Sequence, residues 1–295
     1  MPAVQAKLTD KEFADLRKII YDRSGIHFQD SKKYVLESRL GKRLEELGLD
    51  SYAEYVQFLS IGPYQTDEFQ EMFNRITINE TSFFRNEPQL DVFENIALAK
   101  LIEARKATKR LRIWSAACST GEEPFTMAIQ VQRTLGVRLA DWHIEILGTD
   151  ISEKCLLAAQ KGVFPQFSFR SVNPLIVKRY FKEEKGLFTL DPTIRQMVSF
   201  EKQNLKDTLA AKRRGLWDVI FCRNVMIYFD DEMKSRVVKG FHDALAPDGF
   251  LFIGHSETLR NIDVPLVPLD APQSFAYRKA GAGGAVAGSG GGSGG

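Results

Sequence analysis

The chain has 295 residues, of which 44% are hydrophobic and 26% are charged, values typical of a folded protein of about two domains. A net charge of +2 excludes a strongly basic protein, so we expect no nucleic-acid partner. The sequence has no apolar stretch of transmembrane length and no signal-peptide pattern, so we expect a cytoplasmic location without membrane insertion.

The first 95 residues have a helical pattern. Thr9 and Glu12 stand at the spacing of a capping box, which predicts the start of a helix. Leucines then recur at helical spacing, at Leu36, Leu40, Leu44 and Leu47. Gly48 is a typical helix end. The predicted helices cover residues 9–24, 30–48 and 51–59. We therefore predict an all-α N-terminal domain over residues 1–95.

From residue 96 the pattern changes to short apolar runs that alternate with amphipathic helices. The runs are residues 111–116, 144–148, 198–200, 217–221 and 250–253. This alternation predicts an α/β domain with a mostly parallel sheet covered on both faces. A last run, residues 274–278, has no following helix and predicts a final strand that returns like the second arm of a hairpin. The predicted domain covers residues 96–279.

Two segments depart from this alternation. Between about residues 164 and 200 the rhythm breaks, and short apolar runs surround a polar turn at residues 182–186, which predicts an inserted small β-subdomain. Residues 280–295 consist of Gly, Ala and Ser with a single Val, and this composition predicts a flexible tail.

A turn of small residues follows the first strand, between Ala117 and Gly121, and leads into a helix. Small side chains there let the backbone approach a ligand at the carboxyl end of the sheet. Ala117 and Ser119 stand where glycines might be, so a pyrophosphate cradle is weakly supported. A turn shaped by packing alone is the other interpretation.

Side chains after the next strands suit an adenosine-containing ligand. Asp150 ends the second strand and can accept hydrogen bonds from ribose hydroxyls, although a carboxylate at a strand end can also cap the next helix. After the third strand, the amides of residues 203–204 can read the edge of adenine. Three cysteines and four histidines show no metal-ligand spacing, so we expect no metal and treat the cysteines as buried thiols.

The chain resembles the chemotaxis receptor methyltransferases, the CheR family, over nearly all residues up to about Lys279. Four motifs carry the resemblance: Asn79 to Arg85, Trp114 to Pro124, Phe221 to Phe229, and Gly254 to Glu257. It implies a Rossmann-like methyltransferase sheet with an inserted small β-subdomain, preceded by an all-α N-terminal domain. It also implies transfer of a methyl group from S-adenosylmethionine to receptor glutamates, which gives methyl esters and S-adenosylhomocysteine.

The resemblance implies a role for each matching position. The implied donor-binding residues are Asn79, Thr81 and Arg85 at the methionine portion, Glu123 at its amino group, Asp150 at the ribose, Asn204 and Leu205 at the adenine, and Cys222, Arg223 and Asn224 along the pocket. Tyr228 is implied to lie near the transferring methyl. Arg85 and Tyr228 are therefore the candidate catalytic residues, both by positioning, although an aromatic residue beside a strand is often part of a core.

The implied partner is the cytoplasmic helical bundle of chemoreceptors. The basic residues Arg39, Lys42 and Arg43 suit a glutamate-rich helix, although such a face is often only solvated. The inserted subdomain is a candidate docking place for a receptor C-terminal tail. Two other functions stay open, which are methylation of RNA or a small molecule, and donor binding by a regulatory module without catalysis.

Overall fold

The computed structural model describes residues 6–61, 65–77 and 79–280. The predicted tail lies outside the described residues from residue 281 onward. Among the described residues, no helix combines the length and hydropathy needed to cross a bilayer.

Four helices form the N-terminal domain: α1 (Asp10–Ser24), α2 (Lys33–Leu47), α3 (Tyr52–Ile61) and α4 (Gln65–Ile76). The predicted capping box is confirmed, because Thr9 Oγ1 accepts from the backbone N–H of Glu12 and the Glu12 carboxylate accepts from the Thr9 N–H. Gly48 ends α2 in a left-handed conformation, as the sequence indicates. Leu36, Leu40 and Leu44 of α2 are buried in one apolar cluster with residues of α1, α3 and α4, and Leu47 is partly buried against it, so this domain has its own apolar core.

A further helical stretch leads into the sheet. It consists of α5 (Glu87–Val92), a π-helical turn (Phe93–Leu98) and α6 (Ala99–Ala104). Phe93 is fully buried and contacts Phe221 and Phe252 of the sheet edge-on, at 5.2 and 5.9 Å between ring centroids. The residues just before position 95 thus pack with the sheet, whereas the sequence prediction placed them in the helical domain.

The main sheet has seven strands in the order β6-β2-β1-β7-β8-β10-β9. They are β1 (Arg110–Ala116), β2 (His143–Asp150), β6 (Val198–Lys202), β7 (Trp217–Cys222), β8 (Leu245–Ile253), β9 (Leu266–Pro268) and β10 (Ala276–Lys279). The first five in the order pair in parallel, and β10 pairs antiparallel with both β8 and β9. The predicted parallel sheet and its returning last strand are confirmed. The three-residue β9 was not predicted.

Helices cover both faces of the sheet. These are α7 (Glu122–Leu135), α8 (Glu153–Lys161), α11 (Thr208–Arg213) and α12 (Asp231–Ala244). Side chains of β7 alternate between the two faces, since Val219 and Phe221 belong to the core on the α7 side, while Ile220 belongs to the core that includes α12. The carboxyl ends of β1, β2, β6 and β7 therefore meet at one edge, where open parallel sheets bind ligands.

The predicted inserted subdomain is confirmed between α8 and β6. It contains β3 (Val163–Pro165), β4 (Phe181–Glu184) and β5 (Leu187–Leu190) in the order β3-β5-β4, with α9 (Pro174–Tyr180) and α10 (Pro192–Arg195). Its polar turn is the tip of the β4–β5 hairpin. Phe83, in the segment before α5, is fully buried against this subdomain. Its ring centroid lies 4.7 Å from that of Phe164 and 5.1 Å from that of Phe169.

Candidate active site

The carboxyl ends of the parallel strands open into a cleft, which together with the adjoining solvent comprises about 970 Å³ of empty space. Residues from α1, from the segment before α5 and from the turns after β1, β2, β6 and β7 line it. Among the residues predicted from the sequence, the cleft is lined by Asn79, Thr81, Arg85, Glu123, Asp150, Asn204, Leu205, Arg223, Asn224 and Tyr228. Sequence segments that are far apart in the chain are thus brought together at one site.

Cys222 is the exception, and its prediction as a pocket-lining residue is wrong. It ends β7 with its side chain fully buried in the core on the α12 side of the sheet, the same side as Ile220. Burial raises the pKa of the Cys222 thiol well above its usual value. Cys118 does line the cleft, but burial raises its pKa as well. Both behave as the buried thiols that the sequence led us to expect.

The turn of small residues after β1 is strained where glycines are missing. Ala117 has φ 65° and Ser119 has φ 50°, both in the left-handed region that non-glycine residues rarely adopt. The Ser119 N–H donates to Asp150 Oδ2 at 2.9 Å, and its hydroxyl donates to the Asn79 carbonyl at 3.1 Å. The turn therefore ties two cleft-lining segments together, which a turn shaped only by packing does not require.

Asp150 is buried at the tip of β2 and is fixed by backbone donors on both oxygens. Its Oδ1 accepts from the Ser152 N–H at 2.8 Å, and its Oδ2 accepts from Ser119. Ser152, and not Asp150, caps α8 through the Cys155 N–H, so the capping interpretation of Asp150 is wrong. Burial raises the pKa of Asp150. A carboxylate has about four acceptor positions, so two stay open for hydroxyl donors.

Glu123 and Arg223 form a buried ion pair at the base of the cleft. Glu123 Oε2 accepts from Arg223 Nη1 at 3.2 Å, and Oε1 accepts from the Ser115 hydroxyl at 2.7 Å. Burial raises the pKa of Glu123 and lowers the pKa of Arg223, so the pair does not fully offset its desolvation. Arg223 Nε is buried and has no partner among the described residues. One strong donor is thus left over at the cleft.

Arg85 lies on a strained turn that the rest of the fold holds in place. Its neighbours Phe84 and Asn86 have φ 54° and 66°, and its carbonyl accepts from Arg223 Nη2 at 2.7 Å. The Phe83 N–H donates to the Ser168 carbonyl of the inserted subdomain at 2.9 Å. The Arg85 side chain donates from Nη1 to the Glu80 carbonyl at 3.0 Å. The guanidinium keeps further donors for a ligand carboxylate.

The amide predicted to read adenine is engaged elsewhere. Asn204 Nδ2 donates to the Arg23 carbonyl of α1 at 2.6 Å, and Asn204 Oδ1 accepts from the Lys206 N–H at 3.0 Å. The neighbouring Gln203 also lines the cleft, and its Oε1 is buried without a partner among the described residues. Gln203 is therefore the better-placed of the two amides that follow the third strand, although the family resemblance implied Asn204. Leu205 is buried along the same wall.

Tyr228 lies where the cleft joins a second groove, which together with the adjoining solvent comprises about 1430 Å³ of empty space. It lies on a 3-10 turn (Met226–Tyr228), is half-buried, and is therefore not a core aromatic. Burial raises the pKa of its hydroxyl. The second groove runs between the start of α2 and Ile227, and Tyr34 and Ile227 are exposed along it. An extended apolar surface thus begins at the entrance of the cleft.

The predicted basic face of α2 is only partly open. Arg43 is held by the buried Glu68, with Nη2 at 2.6 Å from Oε2, and by Glu46 at 3.1 Å, so its charge is already compensated. Glu68 also raises the pKa of Arg43. Arg39 lines the second groove and donates to the Ile76 carbonyl, while Lys42 is exposed. Arg43 is therefore a structural ion-pair residue, which corrects its assignment to a docking face.

The cleft has the chemistry of a site for a cationic nucleoside. Two carboxylates, one on the largely buried Glu123 and one on the buried Asp150, suit an amino or sulfonium cation and a ribose diol. The unpartnered Gln203 Oε1 and Arg223 Nε suit an adenine amino group and a carboxylate. Over the described ranges, no group of three or more His, Cys, Asp or Glu side chains is placed to hold a metal ion. The residues present therefore fit S-adenosylmethionine.

Two family models match the chain. The "CheR methyltransferase, all-alpha domain" matches residues 11–77, and the "CheR methyltransferase, SAM binding domain" matches residues 79–272. A chemotaxis protein methyltransferase of Borreliella burgdorferi is 35% identical over 258 residues, 86% of this chain and 90% of its own. That of Escherichia coli is 33% identical over 262 residues and 87% of each chain. Chemotaxis protein methyltransferase 1 of Pseudomonas aeruginosa is 35% identical, covering 85% of this chain and 91% of its own.

Proposed function

Because the chain belongs to the CheR family and is an S-adenosylmethionine-dependent methyltransferase of chemotaxis, we propose that it esterifies glutamate side chains of chemoreceptors. The observation that carries this proposal is the join between the donor cleft and the second groove at Tyr228, since a donor site alone does not need an open apolar entrance. The acceptor then approaches the methyl group from the groove.

The donor is held by residues whose polar groups match its parts. Asp150 accepts from the ribose hydroxyls, and Glu123 accepts from the amino group of the methionine portion. Gln203, Asn204 and Leu205 form the adenine wall, and Arg223 with Asn224 supports the floor. Asn79, Thr81 and Arg85 close the cleft over the methionine portion. When bound, S-adenosylmethionine supplies an electrophilic methyl group on a sulfonium.

The reaction needs orientation more than proton transfer. A glutamate side chain with an ordinary pKa of about 4.3 is ionised near neutral pH, so the nucleophile needs no general base. The protein's contribution is to hold this carboxylate in line with the methyl group, and orientation of this kind accelerates reactions strongly. Arg85 has guanidinium donors left for the carboxylate, and Tyr228 shapes the entrance through which it arrives.

The second groove is the proposed docking place for the acceptor helix. Exposed Tyr34 and Ile227 suit the apolar side of an amphipathic helix, and Lys32 with Arg39 gives the groove positive charge for neighbouring glutamates. Lys42 lies on the exposed side of the same helix, α2. Esterification removes one negative charge, which reduces repulsion between receptor helices and changes their signalling equilibrium.

Two further parts of the proposal concern where the receptor is held. The β4–β5 hairpin of the inserted subdomain is proposed to dock a receptor C-terminal tail, because β4 lies at the edge of its three-stranded sheet and can accept another strand. The acceptor glutamates are proposed to lie in the cytoplasmic helical bundle of the receptor, since the enzyme and its donor must meet them there.

The test is incubation with radiolabelled S-adenosylmethionine and membranes that carry chemoreceptors. Mild base then releases an ester-bound label as volatile methanol, and we expect base-labile label on the receptor band. Arg85→Ala is expected to reduce this label roughly 100-fold because the acceptor loses its orienting group. A receptor preparation that takes up no label while RNA or a small molecule does would establish another methyltransferase.

A separate variant tests the groove. Arg39→Glu is expected to slow receptor methylation roughly tenfold through like-charge repulsion, without a change in donor affinity by calorimetry. Lys182→Glu, on the exposed hairpin of the inserted subdomain, is the matched charge-reversal control for receptors without a tail. Equal rates for wild type and Arg39→Glu would contradict groove docking. Tight donor binding with no acceptor under any condition would instead support the regulatory module.

A further inference from the structure

A single carboxylate accepts hydrogen bonds from several backbone N–H groups of the turn that contains Tyr228. Glu257 follows β8 and is largely buried, and its oxygens accept from four backbone N–H groups. The four distances are 3.2 Å to Asn224, 3.1 Å to Val225, 2.8 Å to Met226 and 2.6 Å to Gly254. Three of these donors belong to one continuous turn, so the carboxylate fixes that turn at three consecutive residues.

The surrounding backbone is built to admit this carboxylate. A Cβ on Gly254 would lie 2.7 Å from Glu257 Oε2 and 2.8 Å from the Asn224 nitrogen, so no other residue fits there without a shift. Asn224 itself has φ 59°, a left-handed conformation that costs energy unless neighbours hold it. The Asn224 N–H bond to Glu257 supplies such a hold.

The fixed turn carries part of the donor cleft and its entrance. Asn224, Val225 and Tyr228 all line the cleft, and Tyr228 also lines the second groove. Glu257 itself is not among the residues that line the cleft. The hydrogen bonds of Glu257 therefore connect it to the cleft through this turn.

We propose that Glu257 is a positioning residue for methyl transfer. It holds the Asn224–Tyr228 turn so that Tyr228 stays at the position where the acceptor approaches the donor. The inference rests on the proposed function and extends it to a residue outside the cleft. Four hydrogen bonds to one charged acceptor are strong enough to order a turn that contains a strained residue. A displacement of about 1 Å at such a site can cost 100-fold in rate.

The test compares Glu257→Gln with Glu232→Gln, a change of the same type at an exposed residue of α12. The amide nitrogen that Glu257→Gln introduces faces N–H donors, so about two of the four bonds are lost. We expect the Glu257→Gln kcat to fall roughly 30-fold or more, with a receptor KM within about threefold of wild type. Hydrogen exchange at the amides of residues 224–226 should accelerate. Glu232→Gln should match wild type in both measurements.

A double-mutant cycle separates positioning from general stabilisation. In a Tyr228→Ala background, Glu257→Gln is expected to lower kcat less than about threefold further, because the side chain that Glu257 positions is absent. Glu257→Asp keeps the charge and should retain more activity than Glu257→Gln. If Glu257→Gln does not fold, Glu257→Asp takes its place in the cycle.

Two kinetic results would overturn the proposal. One is a wild-type kcat for Glu257→Gln with only a lower unfolding temperature, and the other is full additivity with Tyr228→Ala. Failure of wild-type enzyme to label receptors contradicts the proposed function instead. In that case, unchanged hydrogen exchange at residues 224–226 in Glu257→Gln would still overturn the positioning role.

Discussion

Two buried Arg–Glu pairs, one in each domain, show how differently the same chemistry is used. In the helical domain, Glu68 accepts from Arg43 Nε and Nη2 and from the Tyr55 hydroxyl at 2.7 Å, so its acceptor positions are nearly filled. In the cleft, Glu123 and Arg223 share one hydrogen bond of 3.2 Å, and Arg223 Nε has no partner among the described residues.

The pKa shifts follow the same division. Glu68 raises the pKa of Arg43, which means that the charged pair is favoured where it lies. Burial lowers the pKa of Arg223 and raises that of Glu123, so the charged forms there are disfavoured. A saturated pair holds a fold together, whereas an undersatisfied pair keeps donors and acceptors for a ligand.

The largest effect should come from breaking the saturated pair. Glu68→Ala leaves Arg43 half-buried with only Glu46, and we expect a loss of about 3 kcal/mol in the free energy of unfolding. Urea denaturation measures this loss. Donor affinity of the folded protein should stay within about twofold of wild type. An unchanged free energy of unfolding would contradict the conclusion that the Arg43–Glu68 pair stabilises the fold.

A smaller effect is expected from the donor side of the comparison. Asp150→Asn should weaken donor binding by about 2 kcal/mol, roughly 30-fold in Kd, because a hydrogen bond to a charged acceptor is lost. Calorimetry measures Kd, and Asp141→Asn, at an exposed position, serves as the control. An Asp150→Asn Kd equal to that of wild type would contradict the ribose contact.

The mildest expected effect is a pH dependence of donor binding. Glu123 must be ionised to attract the amino cation, and Asp150 must be ionised to keep its oxygens as acceptors for the ribose hydroxyls. Burial raises both pKa values, so affinity should fall as pH decreases through those raised values. The fall should begin at higher pH than an ordinary glutamate, with a pKa of about 4.3, would produce. Titrations between about pH 8 and pH 5 test this. In Glu123→Gln the donor affinity should depend less steeply on pH than in wild type. An equally steep dependence would contradict the assignment of Glu123 to the amino group of the donor.

The sequence predicted what depends on neighbours in the chain. The Thr9–Glu12 capping box, the leucines of α2 and the alternation of strands and helices rest on contacts within a few residues, and the structure has them. Three of the four family motifs likewise contain cleft-lining residues, because they lie at or near the strand ends, whereas Asp150, Asn204 and Leu205 lie outside the motifs and Cys222 does not line the cleft.

The remaining differences depend on contacts between distant residues. Arg43 is compensated by Glu68, 25 residues away, and Asn204 is held by the Arg23 carbonyl, 181 residues away. Cys222 faces the core on the α12 side because helices cover both faces of β7, and all six residues of this strand are buried. Neither a partner at long range nor the phase of a fully buried strand is visible in local patterns.

The end of α1 has a consequence for how the protein unfolds. Its last carbonyls, on Tyr21, Asp22 and Arg23, accept from the side chains of Lys206 and Asn204 in the other domain. The carbonyls of Asp22 and Arg23 are among those that a helix leaves without partners of its own, whereas the Tyr21 carbonyl also accepts from the Gly25 N–H at 2.8 Å. The two modules that match separate family models are therefore joined by these hydrogen bonds. Donor binding to residues 203–205 should delay the melting of α1, so that a ligand of one module thermally protects the other.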